Sequence, residues 1–488
     1  MERVFSYKDL RMNWLNKHIS FKADIILTLL NSLVVIGSIF ILNGLIARIH
    51  GINILGEFLL IKRTLSAFVG ILLVGMNVGL PNYLSRNFEK SYGDNSFLLF
   101  IIITIPLTII FIGSICWLEI AGFNSDHLWI YMIFSLSISA QFITYALYRG
   151  YLNMIGANIF QLLGTAVIPI IVFVFVLDFY TALFWIGLSV LIIMFLSFIK
   201  CNKGISVSAI NAHQSKEIIK YGIVRIPSFI SQFILLAGIP IFLASTIDIE
   251  SVAYFNSSLS LVRLSLIVVG PIGMVLLPRL SNKIAVGAKD DVAKLLDVLF
   301  TAGIIFSVIA TVYCYINAPL ILVLWLGPIS ETGIRILRLV ILALPFYTFS
   351  GLTRSPIDAA SEIGYNSLVY GLGALSMVII IFIGRALQID LLTTALFSFL
   401  ISHIMTSIAS SFYIKKFYSL WIWNFKLFWE IALSIVIMYF VHYLVSQAVM
   451  SDLAQFMITS FIYLLMGGAI IKFVSTGWLA ELKEKIYA

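Results

Sequence analysis

The stretch GEFLLIKRTLSAFVGILLVGMNVGLPNYLSR, residues 56–86, decides the class of fold. It is a hydrophobic run long enough to span a bilayer, yet Lys62 and Arg63 sit inside its first two turns. At about 1.5 Å of rise per residue, Arg63 lies roughly 10 Å from the start of a helix beginning at Glu57. A lone charge at that depth is costly unless it faces protein or water. Helical spacing puts Arg63, Ser66, Gly70, Val74, Asn77 and Pro81 on one face, a polar or small stripe on a Leu/Ile/Val surface. In the second half of the chain, residues 254–283 (YFNSSLSLVRLSLIVVGPIGMVLLPRLSNK) repeat the plan. Phe255 answers Phe58, Leu277-Pro278 answers Leu80-Pro81, Leu280-Ser281 answers Leu84-Ser85, and Lys283 answers Arg86. Arg263 recurs as the embedded arginine, three residues out of register with Arg63. The chain reads as two copies of one unit, each bringing a cation into the membrane.

Composition agrees. Hydrophobic residues make up 61% of the 488 and charged residues 11%, with a mean hydropathy of +1.06. That is a polytopic membrane protein. The formal net charge of +8 falls in short loops between apolar spans, without a basic domain, so it does not point to nucleic acid. Cys116, Cys201 and Cys314 are scattered and fit neither a disulfide framework nor a metal site. Arg3, Lys8, Arg11 and Lys17 precede the first span without a small-residue cleavage site, which reads as mature protein. No G-x-x-x-x-G-K-[ST] loop is present, so a nucleotide-driven pump in one chain is excluded and no cofactor is called for.

About fourteen candidate spans have the length a bilayer demands. Residues 1–22 form an N-terminal segment. Spans one to six occupy 23–200, at about 23–49, 57–85, 96–121, 127–150, 155–178 and 180–200. A polar linker, 201–218, leads into spans seven to twelve within 219–416, at about 219–246, 251–280, 292–316, 333–357, 363–387 and 390–414. Residues 318–327 either extend span nine or form a re-entrant piece. Spans thirteen and fourteen lie within 423–476, and 477–488 are read as a cytoplasmic tail. Lys and Arg crowd the loops on the side of the N-terminus, from Arg86 and Lys90 to Lys415, Lys416 and Lys426. The opposite loops hold little beyond Arg48 and Arg385. This asymmetry places both termini in the cytoplasm. Each six-span unit then starts and ends on the same side, so the expected fold is all-α, with two parallel six-helix lobes around a central cavity and an accessory helix pair.

Polar stripes mark the candidate lining of that cavity: Asn31 and Ser38 on span one, Asn77 on span two, and Gln141, Thr144 and Tyr148 on span four. Gln232 on span seven and Asn256 and Ser260 on span eight complete them. The competing reading is structural, since Ser and Thr bond their own backbone and small polar residues serve helix packing. The cations discriminate better. Arg263, about twelve residues into its span, is the strongest candidate for substrate binding, followed by Arg63, Lys62 and Arg225. Arg335 and Arg338, at i and i+3 near the outer end of span ten, are interfacial or gate an exit. No Asp or Glu occupies the middle of any span. Embedded cations without acidic partners call for a mobile anion.

The G-E-F-L/G-L-P-x-x-L-S-R stretch paired with A-Y-F/L-P-R-L-S resembles the polysaccharide flippases of the MOP exporter superfamily. The six-plus-six-plus-two layout resembles them too. The resemblance implies an ATP-independent, non-enzymatic flippase in the bacterial inner membrane. It would move undecaprenyl-diphosphate-linked oligosaccharide repeat units from the inner to the outer leaflet by alternating access, for O-antigen or another surface polysaccharide. Implied partners are the lipid-linked sugar, membrane lipids, and a polysaccharide polymerase with other assembly proteins. Arginines in spans two and eight of related lipid flippases match Arg63 and Arg263 by span and depth. A drug or cation antiporter of the same superfamily ranks second, because it needs deep carboxylates. A membrane glycosyltransferase, polymerase or ligase ranks third, because the outer loops are short and the histidines scattered.

Overall fold

The computed structural model describes residues 21–206, 211–265, 289–360, 364–448 and 451–486, and their regular structure is helical throughout. Twelve helices among the described residues are long and apolar enough to cross a membrane, or thirteen if one bent pair is a single span. The chain is therefore an all-α, multi-pass membrane protein. It divides into two compact units, Met1–Ala237 and Gly238–Ala488.

The first unit runs α1 (Phe21–Ile49), α2 (Ile52–Leu72), α3 (Met76–Asn87), α4 (Lys90–Leu99), α5 (Ile105–Trp117), α6 (Leu128–Gly150), α7 (Met154–Leu162), α8 (Ile168–Phe175), α9 (Phe179–Cys201) and α10 (Ala212–Ile223). It ends within α11 (Ile226–Thr246). Two of its spans are composite. A π-turn, Phe100–Thr104, joins α4 to α5, and another, Leu163–Val167, joins α7 to α8. Each precedes an Ile-Pro pair, Ile105-Pro106 and Ile168-Pro169. Proline has no N–H and its ring crowds the carbonyl a turn earlier, so a locally widened turn lets the helix continue. The linker and α10 fall within this first unit rather than between the two.

The second unit continues through α12 (Ile249–Arg263), α13 (Lys289–Ile316), α14 (Ala318–Leu326), α15 (Glu331–Ile341), α16 (Leu344–Ala360), α17 (Tyr365–Ala386), α18 (Leu391–Tyr418), α19 (Phe425–Ala448) and α20 (Asp452–Ile486). Val292, Leu296, Phe300, Ile304 and Val308 recur every fourth residue along α13 and meet Phe349, Leu352 and Ile357 of α16 in a buried core. Ile414 and Tyr418 of α18 close that core. Residues 318–327 do not continue the helix of span nine, which ends at Ile316. They make a separate short helix, begun by Pro319 and stopped at Gly327, whose φ is +95°. Span ten is also interrupted, between α15 and α16. Of span eight, expected at 251–280, only α12 and the two residues after it are described. Leu277, Pro278, Leu280, Ser281 and Lys283 of the repeat lie outside the described residues.

The decisive stretch is not one straight helix. α2 and α3 meet at an angle of 51°. Val74 (φ +46°) and Gly75 (φ +71°) occupy the left-handed region at the break, an uncommon conformation for a β-branched residue. The cause is a crossing. A Cβ on Gly75 would stand 2.5 Å from the Gly222 Cα, and one on Gly222 would collide with the Val74 carbonyl oxygen. Two backbones touch here because neither glycine carries a side chain. The single stripe expected from Arg63 to Pro81 is consequently broken, with Arg63, Ser66 and Gly70 on α2 and Asn77 and Pro81 on α3.

Gly222→Ala should overpack this crossing at a cost of about 1–3 kcal/mol, lowering the thermal midpoint and folded yield in detergent. Gly113→Ala, with nothing within 4 Å of its added carbon, should change neither. Equal midpoints for the two variants would mean that the crossing does not hold the unit together.

Candidate functional site

The crossing gathers more than glycines. α10 ends at Ile223 and α11 starts at Ile226-Pro227, so span seven is broken where it meets the break in span two. Arg225 sits in this second break, its amide donating to the Gly222 carbonyl at 2.9 Å. Its guanidinium donates to the Tyr221 carbonyl at 2.8 Å and lies 3.6 Å from the centre of the Tyr221 ring. Among the described residues, a carbonyl and a ring face hold Arg225, not a carboxylate. Tyr221 meets Tyr83 of α3 edge to face at 5.7 Å, and Tyr83 stacks on Tyr92 at 5.7 Å. Tyr92 in turn donates to the Glu217 carboxylate at 2.9 Å. On the other side Phe229 fills the space a Cβ of Gly70 would take. Phe68 stacks on Phe111 at 3.8 Å and meets Phe233 at 5.3 Å. Asn77, two residues past Gly75, has a buried Oδ1 without a hydrogen-bond partner among the described residues.

Depth follows from helix length. The 21 residues of α2 rise about 31 Å, close to the thickness of the hydrocarbon core. The break at Gly75, and Arg225 with it, therefore lies at headgroup level rather than two turns inside a span. Arg63 moves the other way. Because α2 begins at Ile52 and not at Glu57, Arg63 lies about 17 Å in, near mid-bilayer.

Lys62 rests over the Phe58 ring at 5.2 Å, and Lys62 and Arg63 are half-buried. Their carbonyls accept the Ser66 hydroxyl at 2.5 and 3.3 Å. Arg263 occupies the last turn of α12 in the second unit and is half-buried. The expected stripe beyond it, through Ile267 and Gly270, lies outside the described residues. Asn256 is fully buried, and its carbonyl accepts the Ser260 hydroxyl at 2.8 Å.

Several candidate lining residues are instead joints between helices of one unit. Asn31 donates to Gln161 at 3.2 Å. Gln141 donates to the Gln161 carbonyl at 3.1 Å and to the Thr165 hydroxyl at 2.9 Å, tying α6 to the second π-turn. Thr144 is buried and donates to the Met194 carbonyl at 3.2 Å. Tyr148, 4% exposed, accepts the Ser197 hydroxyl at 3.0 Å and packs on Phe160. Thr144 and Tyr148 do not line an open surface, because α6 turns them into α9. Ser38 donates to the Val34 carbonyl, and Gln232 donates to Ser228 at 3.1 Å within α11. At the far end of the second unit Arg335 donates to Thr393 at 2.6 Å and approaches Asp390 at 3.7 Å. The Thr393 hydroxyl and amide, then the Arg335 charge, hold the Asp390 carboxyl below its usual range. Arg338 donates to the Tyr315 carbonyl at 3.3 Å and covers its ring. Both arginines tie α15 to its neighbours.

Two carboxylate clusters escaped the sequence reading. Asp94, placed in a loop by starting span three at residue 96, is fully buried in α4. It accepts Asn202 at 2.8 Å and the Ser206 amide at 3.2 Å. Asn95 beside it accepts the Asn211 amide at 3.0 Å and the Ser215 hydroxyl at 2.8 Å, and donates to Gln214 at 3.1 Å. Gly93 leaves room for Asn202. The linker is thus stapled to the first unit, and the signal was the density of Asn and Gln on both sides. At the opposite end Glu57 accepts the Tyr180 hydroxyl, and His127 stacks on Tyr180 at 3.4 Å.

No family model matches the chain, and no curated protein matches it by sequence. Solved structures do. It is similar to a structure titled "Lipid II flippase MurJ, inward closed conformation", with a TM-score of 0.71 and 18% identity over 93% of this chain and 100% of that one. It is also similar to an inward-facing multidrug resistance MATE family transporter of the MOP superfamily, with a TM-score of 0.65 and 14% identity over 79% and 94%. A MATE structure in the bent conformation gives 0.57 and 15% over 82% and 95%. The chain shares the fold of these structures.

Thr144→Val and Tyr148→Phe each remove a buried hydrogen bond worth about 1 kcal/mol. Both should lower the thermal midpoint by about 2–4 °C and leave transport within about twofold of wild type, a barrier change under ~0.5 kcal/mol. Unchanged stability with lost transport would return these residues to the transport path.

Proposed function

We propose that this protein is a flippase for undecaprenyl-diphosphate-linked oligosaccharides, moving them from the inner to the outer leaflet of the bacterial inner membrane. The observation that carries the reading is Arg225. Its guanidinium is oriented by the Tyr221 ring and carbonyl at headgroup depth, where the diphosphate of a lipid whose tail lies in the leaflet would arrive. A guanidinium presents paired N–H groups that fit two phosphate oxygens, and stacking fixes its plane at little entropic cost. Arg63 lies at mid-depth in the first unit with Lys62 beside it, and the second unit brings its own embedded cation, Arg263. The headgroup crosses against these cations while the polyprenyl tail stays in lipid. That a structure named a lipid II flippase matches over its whole length supports a lipid-linked anion as cargo. The basic loops put both termini in the cytoplasm. The exported sugar would feed O-antigen or another lipopolysaccharide or capsule polymer, so a polymerase is the expected partner downstream.

A second reading, antiport of an organic cation, draws on the MATE likeness and on two carboxylates, buried Asp94 and half-buried Glu57. Both sit near span ends and already accept hydrogen bonds, which suits them less to binding a drug cation at mid-membrane.

Removing the protein from its host should leave lipid-linked repeat units accumulating on the cytoplasmic leaflet. Arg225→Ala and Arg263→Ala at normal membrane levels should reproduce that accumulation, and their Lys replacements should export only in part. Arg63→Ala should be milder, since Lys62 lies about 100° around the helix. Arg385→Ala should export normally. An unchanged lipid-linked pool together with new sensitivity to organic cations would replace this reading with the antiporter.

A further inference from the structure

Between α18 and α19 the chain turns in an elbow, residues 419–424, that is fixed rather than loose. Ser419 starts it with a φ of +55°. Ile422, 1% exposed, plugs the core built on α13 and α16. Trp423 donates its indole N–H to the Ser411 hydroxyl at 2.7 Å, Trp421 donates to the Trp423 carbonyl at 2.9 Å, and Tyr418 donates to the Pro356 carbonyl at 2.7 Å. Above this frame stand two exposed lysines. The Lys415 ammonium lies 5.2 Å from the centre of the Trp421 ring, and the Lys416 ammonium lies 4.9 Å from that of Tyr365 and 5.7 Å from Phe417. Around them Phe412, Trp421, Phe425, Phe428 and Trp429 are exposed.

We propose that this elbow is a binding site for an anionic phospholipid. The two ammonium groups take the headgroup phosphate, and the exposed rings lie along the glycerol and upper acyl region of the same molecule. Charge complementarity selects this occupant. A zwitterionic lipid brings its own cation toward the lysines, whereas phosphatidylglycerol brings only phosphate. The ring shelves matter because free lysine stems would have to be ordered by the lipid, while stems resting on Trp421 and Tyr365 are ordered beforehand. An ammonium near an anionic surface strengthens binding by about fivefold, so the pair should be worth about tenfold or more. The site uses none of the arginines of the proposed transport path and does not depend on what the protein carries.

The test is native mass spectrometry of the full chain titrated with phosphatidylglycerol and phosphatidylcholine. Wild type should retain phosphatidylglycerol preferentially, with excess inorganic phosphate failing to displace it. Lys415→Gln with Lys416→Gln should weaken that retention about tenfold. Lys415→Arg with Lys416→Arg should preserve it, and so should Lys200→Gln with Lys203→Gln, which removes two exposed charges elsewhere. If the glutamine pair at the elbow fails to fold, the arginine pair and the salt sensitivity of wild-type retention still decide. No lipid preference in wild type, displacement by free phosphate, or equal loss at the control lysines would overturn the site.

Discussion

The contact between Gly75 and Gly222 is the constraint on which the first unit depends. Breaking a helix frees amides and carbonyls that need other partners, and each break here finds one within its own segment. The Gly75 amide reaches back to the Gly70 carbonyl at 3.0 Å, and the Arg225 amide takes the Gly222 carbonyl. The apolar rings of Phe68, Phe229 and Phe233 seal one side and the tyrosines 83, 92 and 221 the other. A side chain larger than hydrogen at either glycine would separate the helices, and Arg225, three residues past Gly222, would shift with them.

This arrangement gives the charge distribution a physical logic. Arg225 stays at headgroup depth and on an aromatic face, where its desolvation is modest. Arg63 lies deeper and is half-buried on α2. Lys62 is sheathed by Phe58. The cations are graded in depth, as the proposed anion path requires. The acids, by contrast, sit at the span ends and are already engaged, Asp94 by the linker and Glu57 by Tyr180. They reinforce the scaffold at its two rims.

Part of this was legible in the sequence. The all-helical, multi-pass class and most span positions follow from hydropathy and periodicity, which the bilayer makes strict. The break at Gly75 was not legible, because helical spacing continues through it and its cause is a backbone on another span. The helix-joining roles of Asn31, Gln141, Thr144 and Tyr148 were hidden for a related reason. A polar residue on a helix face looks the same in sequence whether it meets water or a neighbouring carbonyl, and only the fold distinguishes α6 facing α9 from α6 facing a cavity. Asp94 was hidden by a boundary error of six residues, since the helix begins at Lys90 and not at 96, which moved a buried carboxylate into a loop. Arg225 was picked out by its charge, but its depth needed the break.

The most direct test of the account uses purified protein in vesicles that carry undecaprenyl-diphosphate-linked oligosaccharide in both leaflets. A membrane-impermeant reagent that cleaves or captures the sugar reads the share exposed outside. The account predicts that the protein raises this share from the outer-leaflet fraction to nearly the whole pool, and that vesicles containing the Arg225→Ala protein stay at the outer-leaflet fraction. A pool that remains locked in the inner leaflet despite folded wild-type protein would contradict it.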